Sequence, residues 1–156
     1  MSVGMGDTTV TKTADVDFAV AADVVTFTPT KPVDVLRFGL IVTTATATGT
    51  DLNLELDWRP TAGSETDRET IASLSPTASV EQGKGLYKDV VADNDPDAGS
   101  APKRVQVDPG EQLVVEVETA GAADSEGVVF IEYVERAFQH TSSDEDEDRL
   151  AKMTEA

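Results

Sequence analysis

The sequence has no cysteine, which excludes a disulfide framework and any thiolate metal site. Neither is needed for folding. A single domain of 156 residues buries about two-thirds of its unfolded surface. Histidine is almost absent too. His140 is the only one, too few for the histidine-held metal of a small cupin-like enzyme. No nucleophile motif accompanies it, so it reads as a surface histidine near a strand end. Aromatic residues make up 5% of the chain, so the many carboxylate pairs lack the aromatic walls of a sugar-cleaving cleft. No P-loop, GxGxxG or HExxH motif occurs.

Positive charge is scarce as well. Lysine and arginine number 12 against 30 acidic residues, and the formal net charge is -18. Such a field repels phosphate, so neither nucleic acid nor an anionic membrane is an expected partner. Long apolar runs are missing. Val33–Val42 is the longest apolar stretch, and Asp34 and Arg37 interrupt it. A membrane helix needs roughly 18 apolar residues. Residues 1–18 show no basic segment followed by an apolar one, so no signal peptide is expected.

What is present is acid spread along the whole chain, from Asp7 to Glu155. That distribution fits a protein of a salt-loving organism, where dense salt screens self-repulsion. Strand signals dominate the rest. In Asp51–Trp58, Leu52, Leu54, Leu56 and Trp58 fall on one face and four polar residues on the other. Trp58 therefore reads as core. Val33–Thr44 and Gln112–Thr119 are further strands. Val128–Arg136 is apolar on both faces at its start, as in a central or interface strand. Weaker strands are expected at Thr8–Thr13, Asp17–Ala21, Val24–Thr28, Tyr87–Val91 and Arg104–Val107. Glu69–Leu74 is left open as a short helix or strand. Asp108-Pro109-Gly110-Glu111 is a turn, with proline fixing φ and glycine free to take a positive one. Many short strands between turns predict a mostly β protein, an antiparallel β-sandwich or jelly roll. The expected organisation is an N-terminal arm over 1–15, the sandwich over 16–140 and an acidic tail over 141–156.

Two long polar loops are expected at Arg59–Lys84 and Ala92–Pro102. The second carries Asp93, Asp95 and Asp97, spaced like the first ligands of a calcium loop. Ala98 and Arg104 stand where that loop needs glycine and glutamate, so a calcium site and a solvated acidic loop both remain open. No other cofactor is expected. In the tail, Ser143 and Asp146 form a capping box, with Arg149 and Lys152 at the far end. Either a short helix presents Leu150 and Met153 to a partner, or the tail is solvated.

The stretch from Phe27 to Pro32 into VDVLRFGLIV, the strand DLNLELDW, the turn and strand VDPGEQLVVEVETAG and the closing VVFIEYVER resemble small β-sandwich structural proteins of tailed viruses. Such proteins decorate or cement the head shell, and some form turrets on it. With the acidic composition, the resemblance is to one from a virus of salt-loving archaea. It covers residues 17–136 and includes no site. It implies a non-enzymatic capsid decoration protein, located in the virion, made in the host cytoplasm and partnered with itself and the major capsid protein. A trimer is the implied assembly. Expected contact residues are Val33 and Phe38 on one strand, Val128 and Phe130 on another, and Leu150 and Met153 in the tail. The N-terminal arm is expected to add a strand to a neighbour. A tail-tube or head–tail connector protein is the near alternative. A carbohydrate-binding or adhesion module is the alternative of another class, and it calls for an exposed aromatic patch or a calcium site.

Overall fold

The computed structural model describes residues 8–61, 65–90 and 106–136. Every regular element among them is a strand. These are β1 (Thr8–Asp17), β2 (Asp23–Phe27), β3 (Val33–Val42), β4 (Asn53–Arg59), β5 (Glu69–Leu74), β6 (Gly85–Asp89), β7 (Gln106–Val107), β8 (Gln112–Thr119) and β9 (Glu126–Glu135). They form two antiparallel sheets packed as a sandwich. The first has the order β1-β9-β3-β6, and β7 lies on the same flank of β3 as β6. The second has the order β2-β8-β4-β5. The pairings are nested, β1 with β9, β2 with β8, β3 with β6 and β4 with β5. This is the layout of one long antiparallel ribbon whose tip is the β4–β5 link.

Alternation explains the core. Leu54, Leu56 and Trp58 of β4 and Leu113, Val115 and Val117 of β8 point inward from the second sheet. Phe38, Leu40 and Val42 of β3 and Val129, Ile131 and Tyr133 of β9 meet them from the first. Phe27 and Tyr133 stack across the two sheets with centroids 4.8 Å apart. The turn at Asp108 forms as expected. The Glu111 amide donates to the Asp108 carbonyl at 3.1 Å, and Gly110 has a φ of 90°.

Several expectations change. The arm foreseen over 1–15 is, from Thr8 onward, an edge strand of the sandwich paired with β9 of its own chain. Of the strand expected at Asp17–Ala21, Asp17 ends β1, and the chain turns from Phe18 onward. Phe18 is fully buried there, with its amide bonded to the Ser125 carbonyl at 2.9 Å and its carbonyl accepting from Gly121 at 2.7 Å. Glu69–Leu74 resolves as a strand, so part of the expected loop over Arg59–Lys84 belongs to the second sheet. Val33 and Phe38 are fully buried between the sheets and offer nothing to a neighbour. A bulge between Val35 and Arg37 shifts the alternation, so that Val33 and Phe38 both face inward although they would stand on opposite faces of an unbroken strand. The acidic loop at 92–102 and the tail at 141–156 lie outside the described residues.

Candidate functional site

With the core filled by side chains, the chemistry sits on the two outer faces, and they differ sharply. On the first sheet, pairing sets outward residues into cross-strand rows. One row runs Thr13, Phe130, Gly39, Tyr87, and the next Asp15, Val128, Ile41, Gly85. Phe130 leans over Gly39. A Cβ on Gly39 would stand 2.7 Å from the Phe130 ring and 2.3 Å from the Leu86 carbonyl, so glycine is required there by close approach. Tyr87 and Ile41 are 57% and 44% exposed, unusual for large apolar side chains in so polar a chain. Val128 and Phe130 are half-buried. A charged row closes this patch. Arg37 lies 3.3 Å from both Asp89 and Glu132, and its guanidinium sits 5.3 Å from the centre of the Tyr87 ring. The result is an apolar centre with a polar rim, the anatomy of a contact surface.

The outer face of the second sheet is built from acids. Its rows run Asp23, Glu116, Glu55, Ser73 and Thr26, Val114, Asp57, Thr70. Like charges placed opposite one another across strands are destabilising. Arg68, at the entry to β5, relieves the opposition. Its Nε donates to Asp57 Oδ2 at 2.7 Å, Nη2 to Asp23 Oδ1 at 2.9 Å and to Glu116 Oε2 at 3.0 Å, and Nη1 to Glu65 Oε2 at 3.0 Å. One guanidinium thus ties all four strands of the sheet together. Hydrogen bonding to Asp23, then to Asp57 and Glu65, raises its proton affinity further. Glu65 also pairs with Arg59, whose Nε bonds Gln112 Oε1 at 2.7 Å. This pins the β4–β5 link over the sheet, and Val114 and Asp57 beneath are buried although they face outward.

Charge is still unbalanced. Burial, followed by repulsion from Asp57 and Glu118, raises the Glu55 carboxyl above its usual range. Burial also raises Glu116, against the pull of Arg68. Glu55, Asp57 and Glu116 bring one oxygen each to within 4.8 Å of one another. Asp57 is 2% exposed, and its Oδ1 is buried without a hydrogen-bond partner.

An open depression of about 340 Å³ lies where β1 meets β9, lined by Asp15, Val16, Asp17, Thr43, Glu126 and Gly127. It gathers carboxylates that all face solvent and adds no second type of reactive group.

Of the residues singled out from sequence, Val128 and Phe130 reach a surface, Val33 and Phe38 do not, and Trp58 is in the core at 8% exposure. Asp93, Asp95, Asp97, His140, Leu150 and Met153 lie outside the described residues. The Arg68 network and the Tyr87–Ile41 patch were missed. Alternation did place Glu55 and Asp57 outward, but nothing local pairs them with a base 11 or more residues away. Compared with known proteins, the chain matches no family model, no curated protein and no solved structure.

Proposed function

We propose that this protein is a non-enzymatic virion structural component, a capsid decoration or turret protein that assembles with copies of itself on a head shell. The observation that carries the reading is the apolar patch of Phe130, Val128, Ile41 and Tyr87 on a chain with a net charge of -18. Exposed apolar surface with a polar rim marks a protein contact. In the multimolar salt that the distributed acid calls for, the Debye length falls to about 3 Å, so two highly negative copies can approach through this face. The strand order supports the reading too. Leaving out the short β7, the nested pairing is compatible with a jelly roll, an architecture that hosts capsid and lectin domains.

The lectin side of that pair keeps a second reading alive. Tyr87 is an exposed aromatic ring beside Arg37 and Asp89, the kind of shelf on which a sugar stacks while polar groups take its hydroxyls.

Antibody raised against the purified protein and applied to virus particles from the source cells tests the proposal. Gold label on heads supports it. Label on tails moves the protein to the tail-tube or connector reading. Particles that carry no label overturn both, and a glycan array read with the same protein then decides whether Tyr87 serves carbohydrate.

A further inference from the structure

We propose that Glu55, Asp57 and Glu116 form a binding site for one divalent cation of calcium size on the outer face of the second sheet. The site is separate from the apolar patch and does not rest on the proposed function.

Two observations carry it independently. The first is the geometry of the acids. Glu55 faces Glu116 directly across the β4–β8 ladder, and Asp57 follows Glu55 on the same face of β4. Their three oxygens lie within 4.8 Å of one another. Oxygens this close to one another can share one cation, and calcium accepts the irregular arrangement that a sheet face imposes. Magnesium demands a near-ideal octahedron, which suits such an irregular set of acids less. The second observation is Asp57 itself. Its side chain is 3% exposed, Arg68 holds Oδ2, and Oδ1 is shut away from solvent with no donor. A buried carboxylate oxygen without a partner carries a large desolvation penalty, and a cation removes it.

Arg68 does not complete the balance. Asp23, Glu55, Asp57, Glu65 and Glu116 converge here, and among the described residues the bases that reach them are Arg68 and Arg59. Arg68 bonds one oxygen each of Asp57 and Glu116, which leaves each a second oxygen to offer. Thr70 Oγ1 approaches Glu55 Oε2 only at 3.5 Å, a weak restraint that leaves this carboxylate able to turn to an ion. Three carboxylates with water in the remaining positions make a partly built oxygen site. An affinity in the roughly 10⁻⁴–10⁻³ M range suits it.

The test is calorimetric titration of the chelator-treated, full-length protein with calcium chloride in multimolar potassium chloride, which suppresses loose counterion binding. Wild type, Glu55→Gln, Glu116→Gln and Glu81→Gln are compared. Glu81 lies elsewhere, exposed and paired with Lys84. The expected result is one saturable event in wild type and in Glu81→Gln, weakened about tenfold or more in Glu55→Gln and Glu116→Gln. These two variants replace half-buried carboxylates by isosteres, and their far-ultraviolet circular dichroism is checked to show that they fold. No saturable event in wild type overturns the proposal and leaves a shared proton or a buried water on Asp57 Oδ1. Equal binding by all four proteins overturns it as well, because the calcium then sits elsewhere.

Discussion

Replacing Arg68 by alanine removes a base that touches Asp57, Asp23, Glu116 and Glu65 together. The contacts differ in weight. Asp23 and Glu65 are 40% and 59% exposed, and such surface pairs contribute about 0–1 kcal/mol each. Asp57 dominates, because its side chain is 3% exposed and stays buried after its partner is gone. Removing one member of a buried pair costs about 3–5 kcal/mol. Neutralising an ordinary aspartate at pH 7 instead costs about 4 kcal/mol, which caps the loss. The expected destabilisation is therefore about 3–4 kcal/mol. At about 2–4 °C per kcal/mol for a chain of this size, Tm falls by roughly 6–16 °C. Thermal unfolding followed by circular dichroism reads it. A double-mutant cycle isolates the pair, since on an Asp57→Ala background the same Arg68→Ala change should cost only about 1 kcal/mol. A loss below about 1 kcal/mol in the wild-type background, or an equal loss in both, refutes the assignment of Asp57 as the group that Arg68 serves.

Three further outcomes follow from the same surfaces. Raising potassium chloride from dilute to multimolar should raise Tm, because a net charge of -18 repels itself and salt screens it; an unchanged Tm contradicts the halophilic reading. With divalent ions removed, Glu55→Gln should match wild-type stability at acid pH, where the carboxyl is protonated in folded and unfolded chains alike. Its advantage should then grow as pH rises through the raised folded value of Glu55, and denaturant melts from pH 4 to 7 should show that slope. Gly39→Ala should cost about 1–3 kcal/mol in a denaturant melt, since the new methyl meets the Leu86 carbonyl and the Phe130 ring.

The fold was legible where one face is wet. Leu52, Leu54, Leu56 and Trp58 alternate with acids, and that pattern alone gave β4 its faces. The turn at Pro109-Gly110 was legible because its two residues have backbone preferences of their own. Legibility failed where burial does not come from a strand. Phe18 sits in a turn, anchored by backbone bonds to Ser125 and Gly121, and its apolar side chain reads locally like a strand residue. It failed again where a bulge breaks the alternation. On β3, periodicity marks Val33 and Phe38 as apolar but cannot say which face meets the second sheet, and the bulge at Val35–Arg37 shifts the pattern between them. The acid network was out of reach for another reason. Arg68 meets Asp23 and Glu116 at sequence separations of 45 and 48, and only the sheet order β2-β8-β4-β5 brings them under one side chain. In a chain with 30 acidic residues, no local signal distinguishes Asp57 from the others.

The proposed assembly joins copies of this chain through the outer face of the first sheet. Sedimentation velocity in multimolar potassium chloride, comparing wild type with the Ile41→Asp, Tyr87→Asp double variant, tests it most directly. Both positions are largely exposed, so the variant keeps its fold and its melting temperature. Wild type should sediment as a discrete oligomer and the variant as a monomer. A wild-type monomer at all concentrations, or an oligomer that the two aspartates leave intact, contradicts the claim.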